Sequence, residues 1–275
     1  MTSELENLTV PELHEAALRL LRVEPVGQSD ELWEHVCELQ ARGEEQTFTR
    51  ASGWCADADP LVRELGADVI AQLGHRDASP RPFDEASLPI LLGLLRDDDT
   101  RVREAALAGI GQTEAELSDW SLDDLRACAT HQETSVRSAF ARALNTFLRV
   151  ESDEVLGLCF QLMEDPDDEV RNWATFQLGS FEDLDNGSIR EALLGRVRDK
   201  DAMVRAEALS GLALRKDERV PKLLFAELRG GEVEGPVFEA IAEMPDAKYV
   251  PLLTELEPTH GGSAYFADAL EACRF

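Results

Sequence analysis

Asp165-Pro166-Asp167-Asp168-Glu169-Val170-Arg171-Asn172-Trp173-Ala174 joins an acidic turn to the start of an amphipathic helix. Its Val-Arg dipeptide recurs at Val62-Arg63, Val102-Arg103, Val136-Arg137 and Val204-Arg205, with successive spacings of 40, 34, 34 and 34 residues along the chain. Self-similarity at such a period predicts stacked helical units, each unable to bury its apolar face alone. Counting from each Val, position +4 holds Gly66, Ala106, Phe140, Ala174 and Ala208, and position +8 holds Ile70, Ile110, Leu144, Leu178 and Leu212. Three positions four residues apart lie on one face of a helix. The small residue at +4 lets a neighbouring helix approach closely.

A second amphipathic segment precedes each Val-Arg helix, as in Leu88 to Leu95, Val155 to Leu162, Ile189 to Val197 and Val220 to Leu228. Ser188-x-x-Glu191 reads as a capping box opening one of them, and Ser121-x-x-Asp124 as a weaker version. Each unit is therefore helix, turn, helix. No strand pattern occurs, and the chain is expected to be all-α. Degenerate copies extend the array at Val233, Val237 and Ile241, then at Gly262, Phe266 and Leu270, each 29 residues after the preceding copy. At the other end, Thr9-x-x-Glu12 opens a helix reaching about Val23, and a further helix runs from Asp30 to about Arg42. Residues 1–43 are expected to form a helical cap continuous with an array over 44–275, in a single domain. The longer first interval places a protruding loop around His75 to Pro82.

These turns, together with Asp97-Asp98-Asp99-Thr100-Arg101-Val102-Arg103-Glu104-Ala105-Ala106, resemble HEAT repeats of the bacterial type also found in phycobilin lyases. The resemblance implies a right-handed α-solenoid, an α-α superhelix of about six or seven helix pairs. It implies no single activity, because such repeats serve scaffolds, inhibitors, some lyases and a DNA glycosylase family alike.

Composition narrows the field. Lys plus Arg number 27 against 55 Asp plus Glu, a net charge of −28. A chain this acidic repels nucleic acid and anionic membrane surfaces unless a basic stripe is present, and no block of fifty residues is basic. The N-terminal stretch has no signal-peptide pattern and no segment has the length of a membrane span, so a cytoplasmic location is expected. Five cysteines without a C-x-x-C pair read as reduced, packed thiols.

Catalytic motifs are missing. His14-Glu15 does not continue into H-E-x-x-H, and no Walker A, G-x-G-x-x-G or G-x-S-x-G occurs. The five histidines stand apart from other ligand-type residues and read as solvated or capping. No catalytic, cofactor or metal residue is assigned. The carboxylates at −5 (Asp57, Asp97, Asp165, Asp199) and −3 (Asp59, Asp99, Asp167, Asp201) cap helix N-termini, and the HEAT resemblance implies that the matching Asp and +1 Arg form a ladder along the array. His131 stands where its repeat-mates have Asp, and Phe140 in place of a small residue should push helices apart locally.

The face of the Val-Arg helices opposite the core, expected to be concave, carries Phe176 at +6 with Trp173 beside it. Small residues flank them, Ala139, Ala143, Ser210 and Gly211. Arg142, Asn172, Trp173, Phe176, Gln177 and Glu207 are therefore the candidate groove, since Trp and Arg are the types that anchor interfaces. Packing between stacked helices is the other reading of the two rings. The expected function is a non-catalytic scaffold or adaptor for a neutral or basic protein or peptide. The alternative is a lyase-like or small-molecule-binding protein with a concave pocket.

Overall fold

A computed structural model describes residues 5–23, 29–75, 81–181, 183–230 and 233–274. The loop expected around His75 to Pro82 falls mainly on residues 76–80, outside the described residues. The chain forms two compact units, 1–150 and 151–275. All regular structure among the described residues is helical.

The first unit contains α1 (Val10–Leu21), α2 (Asp30–Arg42), α3 (Glu45–Trp54), α4 (Pro60–Ala71), α5 (Asp84–Leu94), α6 (Thr100–Gly111), α7 (Leu122–Ala129) and α8 (Thr134–Leu148). The second contains α9 (Asp153–Met163), α10 (Asp168–Ser180), α11 (Gly187–Arg196), α12 (Ala202–Leu214), α13 (Val220–Glu227), α14 (Gly235–Glu243), α15 (Val250–His260) and α16 (Ala264–Ala272). From α3 onward, consecutive helices form antiparallel pairs. The second helices of the pairs lie side by side, α4, α6 and α8 in one unit and α10, α12, α14 and α16 in the other. The fold is thus an α-solenoid arrangement of stacked pairs in each unit.

The Val-Arg helices start where the acidic turn stops. Asp59, Asp99, Asp167 and Asp201 are their N-caps, accepting from Leu61, Arg101, Glu169 and Val170, and Val204 backbone N–H groups respectively. Two residues earlier, Asp57, Asp97, Asp165 and Asp199 each accept the backbone N–H of that cap residue at 2.9–3.0 Å. His131 takes over this duty with Nδ1, which accepts from Glu133 N at 3.1 Å. The core face then closes: Val102, Ala106 and Ile110, and their equivalents from the three following repeats, are inaccessible to solvent.

The ladder is present within each unit. Arg63 grips Asp97 with two bonds of 2.6 and 2.8 Å while its other nitrogen donates to the carbonyls of Asp57 and Ala58. Arg171 does the same with Asp199, at 2.9 and 2.8 Å, and with the carbonyls of Asp165 and Pro166. Arg205 finds its carboxylate in Glu227, at the end of α13. Arg103 donates to the Asp97 carbonyl, and the residue facing it one repeat on is His131 rather than an acid. That rung lacks its carboxylate.

Two glycine sites show how closely the helices approach. Gly43 ends α2 with φ of +60°, and a Cβ there would lie 2.7 Å from the Gly74 Cα. A Cβ on Gly211 would lie 2.6 Å from the Gly179 Cα, so α10 and α12 touch backbone to backbone. At the same end of α10, buried Arg215 donates to the carbonyls of Leu178, Gly179, Phe181 and Leu184. It satisfies acceptors that a helix C-terminus leaves open.

Several expectations change in detail. α11 is capped by Asn186, which accepts from Ile189 N, so Ser188 lies inside the helix and forms no capping box. Ser121 precedes α7 but makes no side-chain cap. The late copies begin one turn further on. Glu234 and Ser263 occupy the N-cap positions, which puts Val237 and Phe266 in the place of the repeated Val. Phe140 does not separate α6 from α8, because a Cβ on Gly111 would still meet the Ala143 Cα at 3.1 Å. Its buried ring packs 5.6 Å from Phe147 beside the short helix α7.

Removing one partner from a buried ion pair strands the other charge. Arg171→Ala is therefore expected to lower unfolding free energy by about 3 kcal/mol in urea titrations. Arg126→Ala, which removes the exposed pair with Asp123, serves as the unchanged control. His131→Asp, which offers Arg103 the missing carboxylate, is expected to stabilise by about 1 kcal/mol.

Candidate functional site

At position +6 of the second helices Ala108, Arg142 and Phe176 are exposed, Asp68 is half-buried and Ser210 is buried. Position +7 behaves differently. Gly109, Ala143, Gln177 and Gly211 are buried there, forming the seam between neighbouring second helices. Gln177, counted into the groove from sequence, is thus enclosed. The Trp173 and Phe176 rings meet edge to face, 5.9 Å apart at 83°, which is a favoured aromatic geometry. Trp173 is half-buried, whereas Phe176 keeps 37% of its surface exposed. Asn172, one residue before Trp173, has a buried Oδ1 without a hydrogen-bond partner among the described residues.

Glu207 stands on α12, whose backbone at that residue packs against Gly179 of α10. Burial and the neighbouring Glu239 push its carboxyl up to about 7. α10 and α12 thus present the aromatic pair and this carboxyl from adjacent helices. Arg142 belongs to the first unit, on α8, where its guanidinium donates to the Ser138 hydroxyl at 3.1 Å.

The same layer of the first unit carries a second pair of desolvated acids. Glu64 and Asp68 stand one turn apart on α4. Burial and the nearby acids Asp99 and Glu104 raise Glu64 to about 7, against the pull of Arg101 at 4.0 Å. Burial and Glu64 raise Asp68 to about 8. The carboxylates of the D-x-D turns are already engaged with backbone N–H groups and arginines. Among the described residues no group of three or more His, Cys, Asp or Glu side chains is arranged to hold a metal ion. The cysteines are free, and burial raises Cys55 and Cys159 to about 12 and Cys128 to about 11.

One feature escaped the sequence reading. A cleft of about 1140 Å³ opens in the first unit between α1, α3 and the start of α4. His14 and Trp54 meet in it edge to face at 5.4 Å and 82°, and the Arg50 guanidinium sits over the Trp54 ring at 6.0 Å. His14 is not a solvated histidine: it is 8% exposed, and its Nε2 has no hydrogen-bond partner among the described residues. Burial and the charge of Arg50 lower its pKa, which favours the neutral ring. The sequence offers a partial signal, since Gln46, Thr49, Arg50 and Trp54 share one stripe of α3. It does not show that α1 lies across that stripe.

Stacked helix pairs with an acidic turn and an arginine ladder define a helical repeat protein whose second-helix layer offers an extended surface. The chain belongs to the HEAT repeat family: the profile described as HEAT repeats matches residues 53–145 and 155–242, about two thirds of its length. The protein YibA of Escherichia coli strain K12 is 29% identical over 219 residues, covering 78% of this chain and 75% of that protein. YibA of Escherichia coli O157:H7 matches equally. The X-ray structure of Escherichia coli YibA superposes with a TM-score of 0.68 at 25% identity, covering 99% of this chain and 94% of the other. An engineered protein shares the fold, with a TM-score of 0.55 and 17% identity over 95% of this chain and 78% of its own. No described helix is long and apolar enough to cross a membrane.

A carboxyl whose pKa is raised by folding holds its proton in the native state while the unfolded chain has released it. Stability from such a group is full below the unfolded value, 4.5 for Glu64 and 3.8 for Asp68, and is lost as pH rises through about 7 to 8. Glu64→Gln and Asp68→Asn are therefore expected to raise the melting temperature at pH 8 by about 2–4 °C each and to leave it nearly unchanged at about pH 3. Thermal melts of wild type and variants at the two pH values check this.

Proposed function

We propose that the protein is a non-catalytic scaffold or adaptor that holds a neutral or basic segment of a partner protein on the concave face of its second-helix layer. The observation that carries this reading is Phe176, a large apolar ring left partly exposed and braced edge-on by Trp173. A rigid, pre-set aromatic pair lowers the entropic cost of capturing an apolar side chain. Glu207 supplies a carboxyl at an adjacent helix that gains from a cation. Asn172 stands beside the pair with its side-chain oxygen buried. Buried Gln177 stiffens the seam behind the pair. The net charge of −28 steers basic partners towards the protein and repels polyanions. A cytoplasmic location is part of the same proposal.

Affinity capture from a bacterial lysate, quantified by mass spectrometry against the Trp173→Ala/Phe176→Ala double variant, tests the groove. Specific partners are expected to fall by at least about tenfold on the variant. They are also expected to weaken on Glu207→Gln and with added salt. Equal recovery on wild type and the double variant would place the interaction elsewhere and remove this assignment.

A further inference from the structure

The cleft at the head of the array calls for a separate account, independent of the proposed groove. In four later repeats the core valine (Val102, Val136, Val170, Val204) is fully sealed, but Val62 remains half-exposed and lines the cleft. Beside it, Leu18, Leu21 and Leu61 complete an apolar floor. The α3 wall carries Gln46, Thr49 and Arg50, and the Gln46 amide donates to Glu44 Oε2 at 2.6 Å. At the end of α1, Arg22 adds a second guanidinium.

Charge accounting separates the walls. The guanidiniums of Arg22 and Arg50 have no hydrogen bond or ion pair among the described residues, in a protein where acids outnumber bases two to one. The rim acids Asp57 and Asp59 already accept backbone N–H groups of the turn. Glu15, the remaining acid, is exposed on α1. Opposite the donor wall, His14 brings a ring nitrogen that is more than nine-tenths buried and unpartnered. Unpaired guanidiniums and a hydroxyl above an apolar floor select an anion with planar, bidentate acceptors attached to an apolar body. The cleft volume suits a small organic molecule.

We infer that the cleft between α1, α3 and the start of α4 is a binding site for amphiphilic carboxylates, with Arg50 holding the carboxylate and the Leu18, Leu21 and Val62 floor taking the apolar group. Trp54 fixes Arg50 by stacking and reports on the site. A free small molecule and the carboxyl terminus of a peptide share this chemistry.

The full-length protein is titrated with phenylbutyrate, phenylbutanol and phenylbutylamine while the indole N–H resonances of the tryptophans are followed by NMR. The Trp54 signal is assigned with Trp54→Phe. Phenylbutyrate is expected to move that signal with an affinity at least about tenfold above the alcohol and the amine. Arg50→Gln is expected to abolish the preference, and Arg50→Lys to restore part of it. A peptide ending in a free phenylalanine carboxylate, compared with its amide, separates the two sources. Preference for the acid form of the peptide over phenylbutyrate assigns the site to chain termini, and the reverse assigns it to small molecules. Equal binding of carboxylate and alcohol, an unmoved Trp54 signal with every probe at millimolar concentration, or a preference that survives Arg50→Gln overturns the inference.

Discussion

A guanidinium held between two consecutive turns is the constraint on which each unit rests. Arg63 and Arg171 donate backward to carbonyls of their own turn and forward, with two parallel bonds, to an aspartate one repeat on. A planar fork tolerates little change in distance or angle, so each rung fixes the rise between adjacent pairs. The hydrophobic face alone would not do this, because apolar contact is non-directional. Arg205 shows that the demand is for a carboxylate at that point in space, since Glu227 meets it from the end of the preceding helix. The same aspartates also accept the backbone N–H of the aspartate that caps the next helix, so one residue type serves cap, turn and ladder.

Fixing the rise lets the second helices approach to backbone contact, and this divides their remaining surface into two kinds. Position +7 is sealed in every repeat, while position +6 ranges from buried Ser210 to exposed Ala108, Arg142 and Phe176. Packing limits the first and leaves the second free to vary in chemistry. Ala108, Arg142 and Phe176 occupy equivalent places, yet differ in size, charge and polarity. An array of this kind keeps its fold while its exposed +6 residues are rewritten. Burial is the main cause that raises the carboxyls of Glu64 and Asp68 in the first unit and of Glu207 in the second.

The repeat, the helix pairs, the core face and the acidic turns were legible because they depend on spacing within one helix or one turn. The period alone places Val102 and Val170 in the core, and the local chemistry of Asp99 and Asp167 starts their helices. Gln177 was misplaced because a helical wheel gives direction around one helix but not the angle at which its neighbour arrives. The late copies slipped by one turn because Val233, Val237 and Ile241 satisfy the same spacing, and only the caps Glu234 and Ser263 decide the register. Asn186 outcompeted Ser188 as a cap for a similar reason: both residue types fit, and the chain conformation before the helix chooses.

The cleft was illegible because it lies where the periodicity stops. Inside an array every repeat sees the same neighbours, so its faces are covered in the same way each time. At the head, α3 and α4 meet α1, a helix outside the Val-Arg pattern, and nothing requires its surface to match. Val62 keeps the repeat's residue without the repeat's burial, and His14 and Trp54 meet across helices that no period relates. A mismatch of that kind in a tightly stacked protein leaves space together with unpaired polar groups. The regular layer thus favours broad contact with a chain, while the irregular end can enclose a small group, and the two properties come from opposite sides of the same packing rule.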